Sequence, residues 1–175
     1  MCSTWDLDNQ QIWQALDECQ NWTYSLIFDC GNNMTDREST HLGCHPETQR
    51  IMYGKSGEFV VQCLVDICHD VARQRLEKAR TLSVNATYGA WCKSGRHRSV
   101  FLVHICAAVA MCCGSRVRAL HLCESWWNKA ACFRSSQGEC WKCVRAGGLW
   151  GLNIEHRESL RRIAWEVMAR VSARL

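Results

Sequence analysis

Eight consecutive residues, Cys92-Lys93-Ser94-Gly95-Arg96-His97-Arg98-Ser99, bring together a thiol, three cations, an imidazole and two hydroxyls. Leu82 to Trp91 leads into them as a predicted strand, and a strongly apolar helical run over 100–113 follows. A strand ending in a tight loop that opens a helix aims backbone N–H groups at one point, where the helix N-terminus adds about half a positive charge. Gly95 admits a backbone conformation that other residues resist. Arg98 is suited to gripping a phosphate through two parallel hydrogen bonds. Ser99 is placed to cap the helix and donate to the same anion. Lys93 and Arg96 add positive field, and His97 is a donor that switches near neutral pH. Cys92, beside a helix N-terminus and several cations, is expected to have a lowered pKa. The plain alternative is a strand–helix turn closed by a capping serine. Five charged or titratable residues in eight weigh against it.

Known phosphate-binding loops can be compared with this one. Gly54-Lys55-Ser56 has the end of a nucleotide-binding P-loop, but Gln49 stands where that motif needs glycine and no strand feeds it. The spacing C-x-x-G-x-x-R-[ST] of cysteine-dependent phosphatases is met by Cys92, Gly95, Arg98 and Ser99. In that chemistry Cys92 attacks phosphorus and Arg98 holds the equatorial oxygens. A general-acid aspartate on a loop is also required. Asp66 and Asp70 fall inside a predicted helix, Asp36 is far upstream, and Trp91 replaces the histidine usual before the cysteine.

The run from Trp91 to Val100 resembles the C-x-G-G-x-H-R-S-V loop of the RapZ C-terminal domain family, with His97, Arg98, Ser99 and Val100 in register. Lys93 and Ser94 stand where the family carries small residues. Leu26-Ile27-Phe28-Asp29 is similar to the strand bearing the family's D-x-R, with Gly31 in place of the arginine. Gly43-Cys44-His45 lies ahead of a helix beginning near Phe59, as the family's T-G loop precedes its own. Arg116 to His121 is similar to the strand after the motif helix. The resemblance spans 24–123, and no stretch corresponds to the nucleotide-binding kinase-like domain of full-length members. It implies a domain that binds a phosphorylated small molecule or RNA, since bacterial relatives bind a small regulatory RNA and sense an amino-sugar phosphate.

The elements that must position the loop follow from periodicity. Ser25 to Cys30 reads as a buried strand with Asp29 near its end. Ligands in parallel sheets bind beyond the carboxyl ends of strands, so Asp29 is predicted across the cleft from the loop. Residues 31–57 carry Gly31, Gly43, Pro46, Gly54 and Gly57 and read as a long loop. Residues 58–80 have a helical period, with Asp66 and Asp70 on the polar side. Gly114 is predicted to end the second helix, 116–122 to form a third strand, and 155–174 an amphipathic helix. The expected architecture is α/β: a small three-layer domain with a mainly parallel sheet and a strand–phosphate loop–helix core. Residues 1–23 form an extension, and 124–175 a Trp- and Cys-rich segment ending in the final helix.

Composition narrows the setting. The apolar fraction of 47% and a single proline are those of a globular chain of 175 residues. Fourteen cysteines occur without a basic, apolar leader, and many lie in apolar helical patterns. Reduced thiols in a cytoplasmic setting, with the nucleus as the alternative, are therefore expected. No apolar run reaches the ~18 residues of a membrane span. Residues 1–48 carry net −7 and 49–175 net +11, a distribution that favours an anionic partner. Arg73, Arg75, Lys78, Arg116 and Arg118 are the candidate RNA contacts. Cys140-Trp-Lys-Cys143 is half of a zinc-binding pattern, with Cys132 as third ligand and His121 or Cys123 as fourth, so a structural zinc is a candidate. His69-Asp70 matches a metal phosphohydrolase pair whose other ligands are missing.

Overall fold

Leu26 to Phe28 form a strand, as the apolar run predicts, but it is not the buried strand expected: Leu26 and Phe28 are half-buried and Ile27 is exposed, because side chains alternate between the two faces of the sheet. In the computed structural model this is β1 (Tyr24–Asp29), followed by one helical turn, α1 (Cys30–Asn33). The structure describes residues 24–35, 41–77, 86–93, 95, 97–117, 119, 121, 132, 140, 143 and 154–175. The predicted leader and most of the Trp- and Cys-rich segment lie outside these, as do Ser94, Arg96, Lys78, Arg118 and Cys123.

The predicted loop over 31–57 is corrected. A helix, α2 (Pro46–Glu77), begins at Pro46 and runs through Gly54 and Gly57 with a kink at Ser56 (φ −131°, ψ 18°). Proline favours the first helical position, where no N–H is needed. The His45 carbonyl then accepts from Gln49 N–H at 2.9 Å. Glycine interrupts a helix only weakly when its neighbours pack, and Met52, Val60, Val61 and Leu64 are all buried here.

After α2 comes β2 (Thr87–Trp91), parallel to β1 with Ile27 opposite Gly89 and Asp29 opposite Trp91. The β–α–β order is therefore as predicted, and the described residues form a mixed helix-and-strand fold with a two-stranded parallel sheet. Helix α3 (Arg98–Cys112) starts two residues before its apolar run. It ends where predicted: Ser115 N–H bonds the Ala110 carbonyl and Gly114 N–H that of Met111, at 2.9 and 3.0 Å. The third strand predicted over 116–122 does not appear among the described residues; Arg116, Val117, Ala119 and His121 have no sheet pairing. Val117 and Ala119 instead lean on the core as irregular chain.

Helix α4 (Ile154–Ser172) packs against both α2 and α3. Leu160, Ile163, Ala164, Val167 and Val171 form its buried stripe, at helical spacing. On its far edge Arg170 and Arg174 both pair with Glu58 of α2, Arg170 at 2.7 Å. Phe101, Leu102 and Ile105 of α3 are completely or almost completely buried at the centre. Among the described residues no helix is long and apolar enough to cross a membrane.

Candidate anion-binding loop and thiol–imidazole cluster

The register that sets Asp29 beside Trp91 puts the carboxyl ends of both strands side by side. The 92–99 loop leaves from there. Cys92 is wholly buried, and Gly95 N–H returns to the Cys92 carbonyl at 3.3 Å. Gly95 has φ 58°, the left-handed conformation that a side chain would strain. Cys92 Sγ and Ser99 Oγ lie 3.2 Å apart and tie the two ends of the loop together.

Ser99 does not cap α3. His97 occupies that position without a side-chain cap bond, and Ser99 is the second helical residue, with its hydroxyl turned to Cys92. Arg98 is half-buried, and its Nη1 donates to the carbonyls of Gly31 at 2.7 Å and Met34 at 3.2 Å. Asp29 holds the other end of α1. Its Oδ1 accepts from Gly31 N–H (2.8 Å) and Asn32 N–H (3.1 Å), and its Oδ2 from Asn32 Nδ2 (2.6 Å). Asp29 and Arg98 are thus joined through a single helical turn. The space a side chain at Gly31 would need lies against the Trp91 ring, 3.4 Å from an ideal Cβ. Lys93 is exposed at the loop's outer edge.

Gly43, singled out in the sequence only as a loop glycine and by resemblance to a T-G loop, closes this region. Gly43 presses so tightly on the start of α3 that an ideal Cβ would lie 1.9 Å from the His97 carbonyl oxygen and 2.7 Å from Phe101 N. Its loop is held by His45 N–H to the Leu42 carbonyl (2.9 Å), Gln49 Nε2 to the Cys44 carbonyl (3.1 Å) and Thr48 Oγ1 to the His41 carbonyl (3.4 Å).

Asp70, predicted on the polar face of its helix, is buried. It accepts from Arg73 (2.5 Å), Gln74 (2.7 Å) and Tyr88 (2.9 Å). Burial pushes its pKa up, but the hydrogen bonds from Arg73, Tyr88 and Gln74 outweigh this and hold the carboxyl below its usual range. Tyr88 precedes Cys92 by four residues, about 13 Å of strand, so Asp70 is at the wrong end of β2 to serve Cys92 as an acid. Arg73 is engaged by Asp70, whereas Arg75 and Arg116 are exposed. His69 is exposed.

The second cluster joins the loop before α2 to the cysteine-rich segment. Cys132 Sγ and Cys143 Sγ are 3.8 Å apart, and His41 Nδ1 lies 3.7 Å from Cys140 Sγ and 3.8 Å from Cys143 Sγ. The four ligand atoms lie within 4.8 Å of one another, an arrangement that could hold a metal ion. None of the described cysteines is in a disulfide. Burial, and then neighbouring Cys143, push the Cys132 thiol up to about 12. Hydrogen bonding with Cys44, and then burial, raise the Cys143 thiol. The three predicted cysteines are thus brought together, but the predicted fourth ligand His121 is elsewhere, with its Nε2 3.1 Å from His104 Nε2. His41 had no local signal, because its partners lie about a hundred residues away in sequence.

No protein-family model, no curated protein and no solved structure matches the chain.

Proposed function

We propose that this chain is a three-layer α/β domain of the RapZ C-terminal kind that binds a phosphorylated ligand at the 92–99 loop. The ligand is a sugar phosphate or nucleotide, or the phosphate backbone of RNA. The observation that carries the reading is the strand–loop–helix junction itself. Gly95 in a left-handed conformation, the start of a 15-residue helix and Arg98 meet at the carboxyl end of β2, beside Asp29 on β1. Asp29 acts in this reading by holding α1, whose carbonyls orient Arg98. The thiol–imidazole cluster is structural, and a zinc ion there would support the fold rather than the ligand.

The test is a thermal-shift series over orthophosphate, sugar phosphates and nucleotides. A ligand at a hundred times its Kd adds about 2.7 kcal/mol, which raises the melting temperature of a chain this size by about 5–10 °C. Arg98→Ala weakens binding roughly ten- to a hundredfold, the loss of a charge-assisted hydrogen bond. It also lowers the melting temperature without ligand, because the Gly31 and Met34 carbonyls lose their donor. A folded Arg98→Ala protein with unchanged phosphate affinity would refute the reading.

The 3.2 Å approach of Ser99 Oγ to Cys92 Sγ favours one second reading, a cysteine-dependent phosphatase using Cys92 and Arg98. A hydroxyl so placed can stabilise a thiolate. Turnover of a generic aryl phosphate that disappears in Cys92→Ser would establish it; no turnover leaves a binding domain.

A further inference from the structure

We propose that His41, Cys132, Cys140 and Cys143 are the four ligands of a zinc ion that clamps the loop ahead of α2 to the cysteine-rich segment. This goes beyond the phosphate-binding reading and does not depend on it.

The argument begins with distances. Tetrahedral zinc with bonds of about 2.3 Å to sulfur and about 2.0–2.1 Å to nitrogen sets its ligand atoms about 3.8 Å apart for two sulfurs and about 3.6 Å for sulfur and nitrogen. The Cys132–Cys143 edge is 3.8 Å, and the His41 edges to Cys140 and Cys143 are 3.7 and 3.8 Å. A disulfide would need sulfurs about 2 Å apart. Three thiols and one imidazole form a closed ligand set of the kind that selects zinc over harder cations. Cys140 and Cys143 supply the two-residue spacing common to such sites.

The imidazole is oriented for this role. His41 turns Nδ1 to the sulfurs, and the Glu47 carboxylate stands 4.0 Å from its Nε2. At that distance the carboxylate acts as a nearby negative charge rather than a hydrogen-bond acceptor, and it favours a proton on Nε2, which leaves the Nδ1 lone pair for the metal. The His45 ring stacks on His41 with centroids 3.8 Å apart and planes 7° from parallel, which fixes the ring. His45 and Glu47 form a rival set with His41. That set is the weaker one, because it offers three donors rather than four, has no thiolate, and depends on the exposed Glu47 carboxylate. Zinc binding to the four ligands releases three thiol protons, and four neutral groups become a complex of net charge −1.

The test uses the full chain, purified under reducing conditions without chelator. We expect about one equivalent of zinc. Exchange for cobalt(II) should give the intense visible bands of a tetrahedral centre and thiolate-to-cobalt charge transfer in the near ultraviolet. Cys140→Ser and His41→Ala should lose metal. His41→Cys should keep it, with stronger charge transfer, so the ligand position remains testable even where the alanine variant fails to fold. His121→Ala should keep its zinc. Protein without metal, a weak six-coordinate cobalt spectrum, or zinc lost from His121→Ala but kept by folded His41→Ala would overturn the proposal.

Discussion

His121 pairs through Nε2 with His104, a completely buried residue of α3. Burial lowers its pKa to about 4. The sign follows from which state takes the proton first. The unfolded chain binds it near the ordinary value of about 6.5, the folded chain only near 4. The stability contributed by neutral His121 is therefore complete above about pH 6.5 and is lost as pH falls from there towards 4. Urea unfolding at pH 7.5 and pH 5 should show a loss on the order of 1 kcal/mol that His121→Gln removes. In the sequence His121 is one of two candidates for the fourth metal ligand, beside Cys123, because a histidine near cysteines is a common ligand, and only tertiary structure places it against His104 instead. Asp70 had the same difficulty. Its helix was legible but its burial was not, because the Tyr88 hydroxyl that makes burial tolerable comes from a strand eighteen residues away.

At the scale of elements, the close approach of Gly43 to α3 gives a sharp comparison. Gly43→Ala would drive a methyl into the His97 carbonyl and Phe101 N, both backbone and unable to move independently. A destabilisation of about 3 kcal/mol or more is expected in denaturant unfolding. Gly54→Ala, in the same helix–loop region but with nothing within 4 Å of its Cβ, should instead stabilise by about 0.5–1 kcal/mol through helix propensity. Equal effects would mean that the loop does not rest on α3. The periodic elements were legible: β1, α3 with its Gly114 terminus, and α4 all appear close to their predicted bounds. The first part of α2 was not, because Pro46, Gly54 and Gly57 signal a loop locally and are overridden by the burial of Met52 and its neighbours. The 92–99 loop was legible as a junction between strand and helix. The contacts of Arg98 were not, because its acceptors are backbone carbonyls, which carry no residue-specific signal.

Across the whole molecule, charge is divided unevenly, net +11 over 49–175 against −7 before it. Arg75 and Arg116 are exposed within the basic part. If RNA is the ligand, log affinity should fall linearly with log salt by about 0.7 for each phosphate neutralised on a single strand. Filter binding across a salt series measures this, and Arg75→Ala or Arg116→Ala should each flatten the slope. Affinity independent of salt would exclude an electrostatic mode.

The contact between His41 and Cys140 also bears on the order in which the chain assembles. Ninety-nine residues separate the two, and closing so long a loop costs entropy that contacts can offset only once both ends have been brought together. The cluster is therefore expected to close after the β–α–β unit and α3, whose contacts join nearer neighbours. An interaction absent from the transition state leaves the folding rate unchanged and slows unfolding. A cluster that closes late should act as a latch: Cys140→Ser is expected to speed unfolding in stopped-flow denaturant jumps and to leave the refolding rate unchanged.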